Sequence, residues 1–296
     1  MLFASAREQS DIFNLAPKPF LLESDLTVQL ATPAQGHLTI QWQSKNHWRR
    51  ELDFGPYKET VVRVGEWEYT QQKNVGFTPL RALQVVYLME FARPDAHMTA
   101  RSEKTRKRNG AVLTCVELES TSAFKQLEIC TDPSTQEIIS YNPFPYDIDG
   151  GSAEFSGYAG IEGMHFPTSL ELRMGKTAVV TVNVTKLEEK PPDVSLLTPP
   201  QGAIERRYCE GATAPVMLEK PDIASLGVIS GSVHLRFQVT VLKDGSVGSV
   251  QLIGQRSSNY AADIMRKLWM NARYKPAMCG TEPIVADVQA GLDIGQ

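Results

Sequence analysis

The chain has 296 residues and a formal net charge of -4, and 42% of its residues are hydrophobic against 22% charged. A chain of this length forms about two domains, and the composition is typical of a folded globular protein. The acidic balance argues against general affinity for nucleic acid, which requires a concentration of Lys and Arg. No segment approaches the run of about eighteen apolar residues that predicts a membrane-spanning helix.

The chain opens with a short polar segment and continues with predicted β-strands. Residues 1–20 are polar and contain Pro, which indicates a tail or a loose first helix. Five runs then alternate apolar and polar residues with period two: LTVQLA, HLTIQWQS, WRRELDFG, ETVVRVG and EWEYTQQ. Such alternation indicates strands with one buried face, and strands in this order join as an antiparallel meander.

A helix is predicted after these strands, at residues 78–92. Thr78 supplies an N-cap and Pro79 the first helical residue. Apolar residues recur at three- and four-residue spacing until Arg93-Pro94 ends the pattern. Because the helix is apolar over most of its surface, we expect a curved sheet to cover it on more than one side.

The next segment predicts a basic loop and then more strands. The run RSEKTRKR at residues 101–108 indicates a solvated loop, with a patch for phosphate or lipid headgroups as the alternative. From Ala111 to about Leu187, further alternating runs are separated by Asp, Pro and Gly turn signals. The two parts together predict an antiparallel, β-rich domain over residues 1–189.

The four cysteines form two local pairs in the sequence. Cys115 and Cys130 lie on consecutive strands, and folding that hairpin about Ser122-Ala123 places them opposite each other. Cys209 and Cys279 could bridge within the C-terminal region, from the segment before it to the loop after its helix. Two disulfides imply an oxidising compartment, whereas the alternative is four buried thiols. No C-x-x-C motif or His cluster is present, so no metal site and no cofactor is predicted.

The last third of the chain predicts a linker and a small second domain. Residues 190–212 contain two Pro-Pro pairs and form a stiff, extended linker. In the domain at 213–296, alternate apolar residues of VHLRFQVTV share one face of a strand, and a Lys-Asp-Gly turn leads to a second strand. An amphipathic helix follows, in which Met265 and Trp269 belong to the core. The final strand, IVADVQAGLDI, alternates again.

This C-terminal region resembles the TonB C-terminal domain family, the periplasmic module of energy transducers that act on outer-membrane receptors. The resemblance covers about residues 213–295 and lies in Gly231-Ser232-Val233, Phe237-x-Val239, Asp244-Gly245-Ser246-Val247, the helix from Ala261 to Trp269, and Tyr274-Lys275-Pro276-Ala277. It implies a small three-stranded antiparallel sheet with helices.

The TonB-like resemblance also implies a binding site, because such transducers hold a receptor segment by adding it as a strand to their last strand. The alternatives are an ordinary edge strand, or one that a second copy of the chain covers in a homodimer. The candidate partner-binding residues are Ile284, Val285, Ala286, Asp287, Val288, Gln289, Ala290, Gly291 and Leu292.

The N-terminal region resembles the LolA-like periplasmic lipoprotein-carrier folds. The similarity lies in the strand meander, the helix at 78–92, and Gly157-Tyr158 followed by Gly163-Met164-His165-Phe166-Pro167-Thr168. It implies a half-open antiparallel β-barrel with an inserted helix, whose interior holds either a lipid or acyl ligand or a filled core. The fold class expected for the whole chain is therefore α+β.

We expect a periplasmic binding and adaptor protein of the cell envelope, which captures an outer-membrane receptor or another envelope protein by strand addition. The alternative is a component of a TonB-type energy-transducing system whose membrane anchor precedes this sequence. Catalysis is not expected, although an acidic group could in principle perform acid–base chemistry. That group lies among Gly-rich turns, where Asp serves the backbone, and consists of Asp147, Asp149, Glu154, Glu162 and His165.

Overall fold

A computed structural model gives the fold of the chain. It describes most of the sequence, with interruptions at both ends and between elements. The described residues are 2–73, 79–90, 98–108, 110–120, 126–142, 151–209, 211–219, 233–256 and 259–294.

The fold is mostly β, with few helices. The helices are α1 (Leu2–Ser10), α2 (Ile12–Leu15), α3 (Pro79–Glu90) and α4 (Asn259–Met270). The strands up to the linker are β1 (Phe20–Val28), β2 (Ala34–Ser44), β3 (His47–Phe54), β4 (Tyr57–Val64), β5 (Trp67–Lys73), β6 (Met98–Arg108), β7 (Ala111–Ser120), β8 (Gln126–Thr131), β9 (Ile138–Asn142), β10 (Gly151–Ile161), β11 (Met164–Met174) and β12 (Thr177–Glu189). The later strands are β13 (Ile204–Arg207), β14 (Val216–Glu219), β15 (Val233–Val241), β16 (Val247–Arg256), β17 (Arg273–Lys275), β18 (Ala277–Cys279), β19 (Glu282–Ile284) and β20 (Ala286–Ile294).

The chain forms two compact units. The first comprises residues 1–59 and 81–198, and the second comprises residues 60–80 and 199–296. The predicted domains, 1–189 and 213–296, differ from these units because residues 60–80 join the C-terminal part of the chain. The physical reason is a long-range ladder in which β13 pairs with β5, from Ile204 opposite Thr70 to Arg207 opposite Trp67.

The first unit contains a long antiparallel sheet that is not closed. Its strands follow the order β3-β2-β1-β12-β11-β10-β9-β8-β7-β6, and among the described residues β6 pairs with β7 alone. The sheet and the inserted helix agree with the open antiparallel domain that the sequence predicts. The sequence predicts a loop at residues 101–108, and that prediction is wrong, since these residues belong to β6 and pair with β7 from Ser102 opposite Glu117 to Arg108 opposite Ala111.

One face of this sheet is covered by helices α1, α2 and α3. The alternating apolar residues of the strands point to these helices, and together they form one core. Phe20 stacks on Trp42 with ring centroids 5.1 Å apart, and Phe13 meets Phe166 edge to face at 5.8 Å. The opening segment is therefore neither a tail nor loose, because Ala6 and Ile12 are fully buried in this core.

The linker at 190–212 has more structure than the sequence indicates. It contains a short 3-10 helix at Val194–Leu197 as well as β13. Asp193 caps the short helix by accepting hydrogen bonds from the backbone N–H and the hydroxyl of Ser195. Helices long and apolar enough to cross a membrane are not found in the part of the chain that the structure describes.

In the second unit, a three-stranded antiparallel sheet has the order β16-β15-β20. Helix α4 packs on it and buries Met265 and Trp269, as the sequence predicts. Two-stranded ladders join β14 to β17 and β18 to β19. This arrangement agrees with the predicted small sheet with a helix, whereas its membership of the TonB-like family stays a prediction.

Both predicted disulfides are present. The Sγ atoms of Cys115 and Cys130 are 2.03 Å apart, and these residues are direct partners in the β7–β8 ladder. The Sγ atoms of Cys209 and Cys279 are 2.08 Å apart and link the segment after β13 to β18. The first bond holds two neighbouring strands of the first unit, and the second closes a much longer loop within the second unit.

Replacing both cysteines of a pair with Ala should lower the free energy of unfolding by an amount that depends on loop length. Loop-closure entropy gives about 3 kcal/mol for Cys115 and Cys130 and about 4 kcal/mol for Cys209 and Cys279. Denaturant unfolding monitored by circular dichroism measures both values. Mass spectrometry of the unreduced wild-type protein is the control, and free thiols at these positions would contradict the assignment.

Candidate partner-binding edge

Strand β20 lies at the outer position of the three-stranded sheet. It pairs along its whole length with β15, from Val233 opposite Ile294 to Val241 opposite Ala286. On its other side, no strand pairs with it among the residues that the structure describes. The outward N–H and C=O groups of β20 therefore have no ladder partner within the described chain.

The partner strand β15 owes its position to four apolar side chains on one face. Leu235, Phe237, Val239 and Val241 are fully buried. They pack with Met265 and Trp269 of α4 in one core. Because successive side chains of a strand point to opposite faces, the same alternation fixes which face of the sheet the helix covers.

Strand β20 has one apolar and one polar face. Ala290 is buried opposite Phe237, and Val288 packs against the same core opposite Val239. On the other face, Asp287, Gln289 and Gly291 are exposed. A segment added to this strand would meet apolar side chains on one face and polar side chains on the other.

The carboxylate of Asp287 fixes the start of β20. It accepts hydrogen bonds from Gln238 Nε2 at 2.8 Å and from Thr240 Oγ1 at 2.8 Å, both on β15. Arg206 of β13 adds an ion pair, with Nη2 at 3.2 Å from Asp287 Oδ1. These contacts reach across one face of the sheet, and the backbone edge of β20 is left uncovered by them.

The turn between β15 and β16 closely approaches strand β17. Gly245 has φ +79° and lies so near Tyr274 that a Cβ placed on it would be 2.0 Å from the Tyr274 carbonyl oxygen. The N–H of Tyr274 donates to the carbonyl of Gly245 at 3.0 Å. The sequence motifs Asp244-Gly245-Ser246-Val247 and Tyr274-Lys275-Pro276-Ala277 therefore meet in space, and only Gly fits at the contact.

The same turn carries a structural carboxylate. Asp244 accepts hydrogen bonds from the backbone N–H of Ser246 at 2.9 Å and from its hydroxyl at 2.6 Å. The bond from the Ser246 hydroxyl, followed by that from its N–H, lowers the pKa of Asp244 below its ordinary value. The carboxylate is thus held ionised in the turn that connects β15 to β16.

Two of the predicted edge residues lie outside the edge. The sequence indicates one strand from Ile284 to Ile294, but Ile284 ends β19 and is buried opposite Ala277 of β18. Val285 lies between the two strands. The turn at Gly280, with φ +62°, folds β19 back on β18, so Ile284 belongs to that two-stranded ladder. The edge consists of residues 286–294, which include the predicted Ala286, Asp287, Val288, Gln289, Ala290, Gly291 and Leu292.

The acidic group considered for catalysis is divided among ion pairs. Glu154 pairs with Arg108, and Glu162 Oε1 lies 3.0 Å from Lys18 Nζ. His165 is exposed, and Asp147 and Asp149 lie outside the described residues. No catalytic geometry is assembled from the described members, and the absence of enzymatic activity stays a prediction.

In the interior of the first unit, where the sequence allows either a lipid or a filled core, the described apolar side chains form a buried cluster. A polar group also lies on this face, in which Arg50 Nη2 is 3.3 Å from Glu59 Oε1 and Tyr57 donates to Glu59 at 2.9 Å. Arg50 further approaches Glu90 of α3, at 3.9 Å. These contacts connect the sheet to the helix that covers it. Binding of a lipid or acyl chain stays a prediction.

One cluster of potential metal ligands occurs in the described residues, at Cys115, Glu128 and Cys130, whose ligand atoms lie within 4.8 Å of one another. The two sulfur atoms are bonded to each other. Neither is a thiolate in this state, and only a thiolate binds a metal strongly. The cluster is therefore part of the disulfide and not a metal centre.

Comparisons with known proteins give matches to solved structures alone. No family model matches the chain, and no curated protein matches it. A LolA superfamily protein from Nitrosomonas europaea has 11% identity and a TM-score of 0.44, covering 66% of this chain and 96% of that one. A putative outer membrane lipoprotein-sorting protein domain from Vibrio parahaemolyticus has 10% identity and a TM-score of 0.43, with coverages of 67% and 94%.

A DUF1329 family protein from Desulfovibrio piger has 8% identity and a TM-score of 0.44, covering 64% of this chain and 90% of that one. The LolA superfamily thus occurs among the matched structures, as the sequence resemblance of the N-terminal region predicts. None of these three proteins is described as a TonB domain. At such identities and scores, no activity or ligand is carried over to this chain.

The role of Asp287 in fixing β20 predicts a measurable loss of stability. Changing Asp287→Asn removes the ion pair with Arg206 and one of the two hydrogen bonds from β15, and should cost about 1–2 kcal/mol in the free energy of unfolding. Denaturant unfolding is the measurement. Asp263→Asn on the exposed surface of α4 is the matched control, and equal effects of the two changes would contradict the assignment.

Proposed function

We propose that this protein is a binding and adaptor protein of the cell envelope, whose second unit captures an extended segment of a partner as an added strand on β20. The observation that supports the proposal is the one-sided pairing of β20 within the described chain. An edge of this kind presents a row of backbone donors and acceptors, and an extended peptide satisfies them without regard to most of its side chains.

The length of the edge suits such capture. β20 pairs with β15 over nine consecutive positions. Since neighbouring residues direct their backbone groups to opposite sides, about four or five of them face outward. A net gain of about 0.5–1.5 kcal/mol for each hydrogen bond is offset by the cost of ordering the peptide. Moderate affinity is therefore expected, with selectivity from the alternating faces of the strand.

Two charged side chains beside β20 bear on which segments can pair with it. The carboxylate of Asp287, which pairs with Arg206, stands on the polar face at the start of the edge, and charged side chains on an edge disfavour non-specific pairing. Gly291 lies under the side chain of Arg236, since a Cβ at that position would be 2.7 Å from Arg236 Nη1. A partner is therefore selected in part by how its own side chains fit against these two residues.

The disulfides support a location in an oxidising compartment. Both pairs, Cys115–Cys130 and Cys209–Cys279, are bonded. Such bonds persist in the periplasm and in secreted proteins, whereas reducing systems break them in the cytosol. The disulfides support the periplasmic location that we propose, where an outer-membrane receptor or another envelope protein is the proposed partner.

Proline substitution tests the proposal. The N–H groups of Val288 and Gln289 point to opposite sides of β20, so one of Val288→Pro and Gln289→Pro removes an outward donor and the other a donor to β15. The binding probes are extended peptides selected from a display library against the full-length wild type. The outward variant should keep its thermal stability and bind these peptides about tenfold more weakly than the wild type does.

The inward variant serves as the matched control, because it should lower the melting temperature. Analytical ultracentrifugation of the wild type adds a second control by testing whether a second copy covers the edge. Selected peptides that bind the stably folded outward variant with unchanged affinity would contradict strand addition. Strand addition to a partner would also be contradicted if the wild type forms a dimer that the outward proline variant does not form, because a second copy would then cover the edge.

A further inference from the structure

The first unit contains a cavity on the face of the sheet opposite the helix-covered core. Its volume is about 470 Å³, within the range of about 300–1,000 Å³ that is usual for small-molecule sites. Side-chain alternation places it there, since Ala153 and Phe155 of β10 belong to the core while Glu154 and Ser156 point the other way. It is lined by β6, β7 and the β8–β9 turn on one side and by β10 and β11 on the other.

One part of the cavity wall is apolar. Leu113 and Ile139 line it and belong to a small cluster that contains the Cys115–Cys130 disulfide. Leu113 is 3% exposed. The disulfide of the same cluster joins β7 to β8, which restrains the strand that carries Leu113.

The charged groups of the lining are unbalanced. Arg108 is the one basic residue among those that line the cavity, against Asp132, Glu137, Glu154 and Glu171. Arg108 pairs with Glu154, and Arg173, beyond the lining, pairs with Glu171 at 2.5 Å. Within the part of the chain that the structure describes, Asp132 and Glu137 have no ion-pair partner, which leaves two uncompensated carboxylates.

These two carboxylates are held in place by one turn. Asp132 accepts hydrogen bonds from the hydroxyl of Ser134 at 2.6 Å and from its N–H at 2.8 Å. Those bonds lower the pKa of Asp132, so it remains ionised at neutral pH. Glu137 accepts a hydrogen bond from Thr135 Oγ1 at 3.0 Å.

Tyr158 and two serines also belong to the lining. The hydroxyl of Tyr158 donates to the carbonyl of Ile138 at the neighbouring strand, which fixes the ring in the wall. Ser156 and Ser169 are cross-strand partners. The ring also packs against the helix-covered core, so only the part of it that lines the cavity is offered to a cation, and the serine hydroxyls offer further polar contacts.

We propose that this cavity binds a primary ammonium group carried on a short aliphatic chain. The ammonium group lies between Glu137, Asp132 and the ring of Tyr158, while the aliphatic chain contacts Leu113 and Ile139. Attraction between an ammonium and a carboxylate in a half-enclosed site is several times stronger than in bulk water. The chemistry is shared by free alkylamines and by the side chain of a lysine in a peptide.

This inference does not rest on strand addition at β20, which belongs to the other compact unit. Isothermal titration calorimetry of the full-length protein with hexylamine tests it, with hexanol as a neutral probe of the same chain length. Hexylamine should bind at least about tenfold more tightly than hexanol, and the affinity should fall with added salt. Equal binding of the two probes would overturn the proposal.

Two variants separate a built site from general attraction to an acidic protein. Glu137→Gln should weaken hexylamine binding about tenfold. Glu103→Gln is the control, because it makes the same change in net charge. Glu103 is an exposed residue of β6, and its cross-strand partner, Val116, packs against the core, on the face of the sheet opposite the cavity. This control should bind normally. Equal losses in the two variants would overturn the proposal.

A third variant tests the cavity itself without a change of charge. Ser156 is exposed, so Ser156→Phe should fold normally and fill the space, abolishing hexylamine binding. Hexylamine binding that persists in this variant would overturn the proposal.

Titration with a capped lysine distinguishes the two sources of the ammonium group. If the capped lysine binds as tightly as hexylamine, the site is assigned to a lysine side chain. If hexylamine alone binds, the site is assigned to a free amine.

Discussion

The burial of one face of β15 is the constraint on which the second unit depends. Leu235, Phe237, Val239 and Val241 all lie in the core beneath α4. Full burial of such side chains contributes about 1.5–3 kcal/mol each. A shift of one residue would turn all four away from α4 and bring polar residues such as Thr240 into the core, so the register of β15 is strongly specified. Strand β20 takes its own register, and its outer position, from this ladder.

Three further contacts support the second unit, and among the described residues no strand covers the outer edge of β20. Asp287 ties its polar face to β15 and to β13. The Gly245–Tyr274 contact fixes the turn between β15 and β16, and the Cys209–Cys279 bond anchors the segment before the sheet. These contacts are made by side chains and turns, so none of them uses the outward backbone groups of β20. A prearranged edge needs little reorganisation to accept a strand, which lowers the cost of binding.

Much of this fold follows from residue patterns that are local in the chain. Period-two alternation gives the strand meander, and it also gives the pairing of Cys115 with Cys130, because a hairpin register is set by the residues between its strands. Contacts distant in sequence are different. The β13–β5 ladder, which brings residues 60–80 into the second unit, and the Arg206–Asp287 pair have no local signal. The alternation continues across residues 284–294, so it does not show that Ile284 belongs to β19, which folds back on β18 through the turn at Gly280.

Strands rich in charged residues are a second kind of element that sequence patterns fail to predict. β6 carries Lys104, Arg106 and Arg108 on one face, and these pair with Glu117, Glu128 and Glu154. A strand of this kind has no apolar face to detect, and its run of basic residues indicates a loop instead. The acidic cavity was missed for the same reason, since its lining comes from β6, β7, β10, β11 and a turn that are far apart in the chain.

Amide hydrogen exchange in β20, followed by nuclear magnetic resonance on the full-length protein, tests the central claim most directly. Pairing on one side only predicts that protection alternates along residues 286–294, with inward amides slow and outward amides fast. Uniform protection of consecutive amides along β20 would show that the edge is already covered, and would contradict the account.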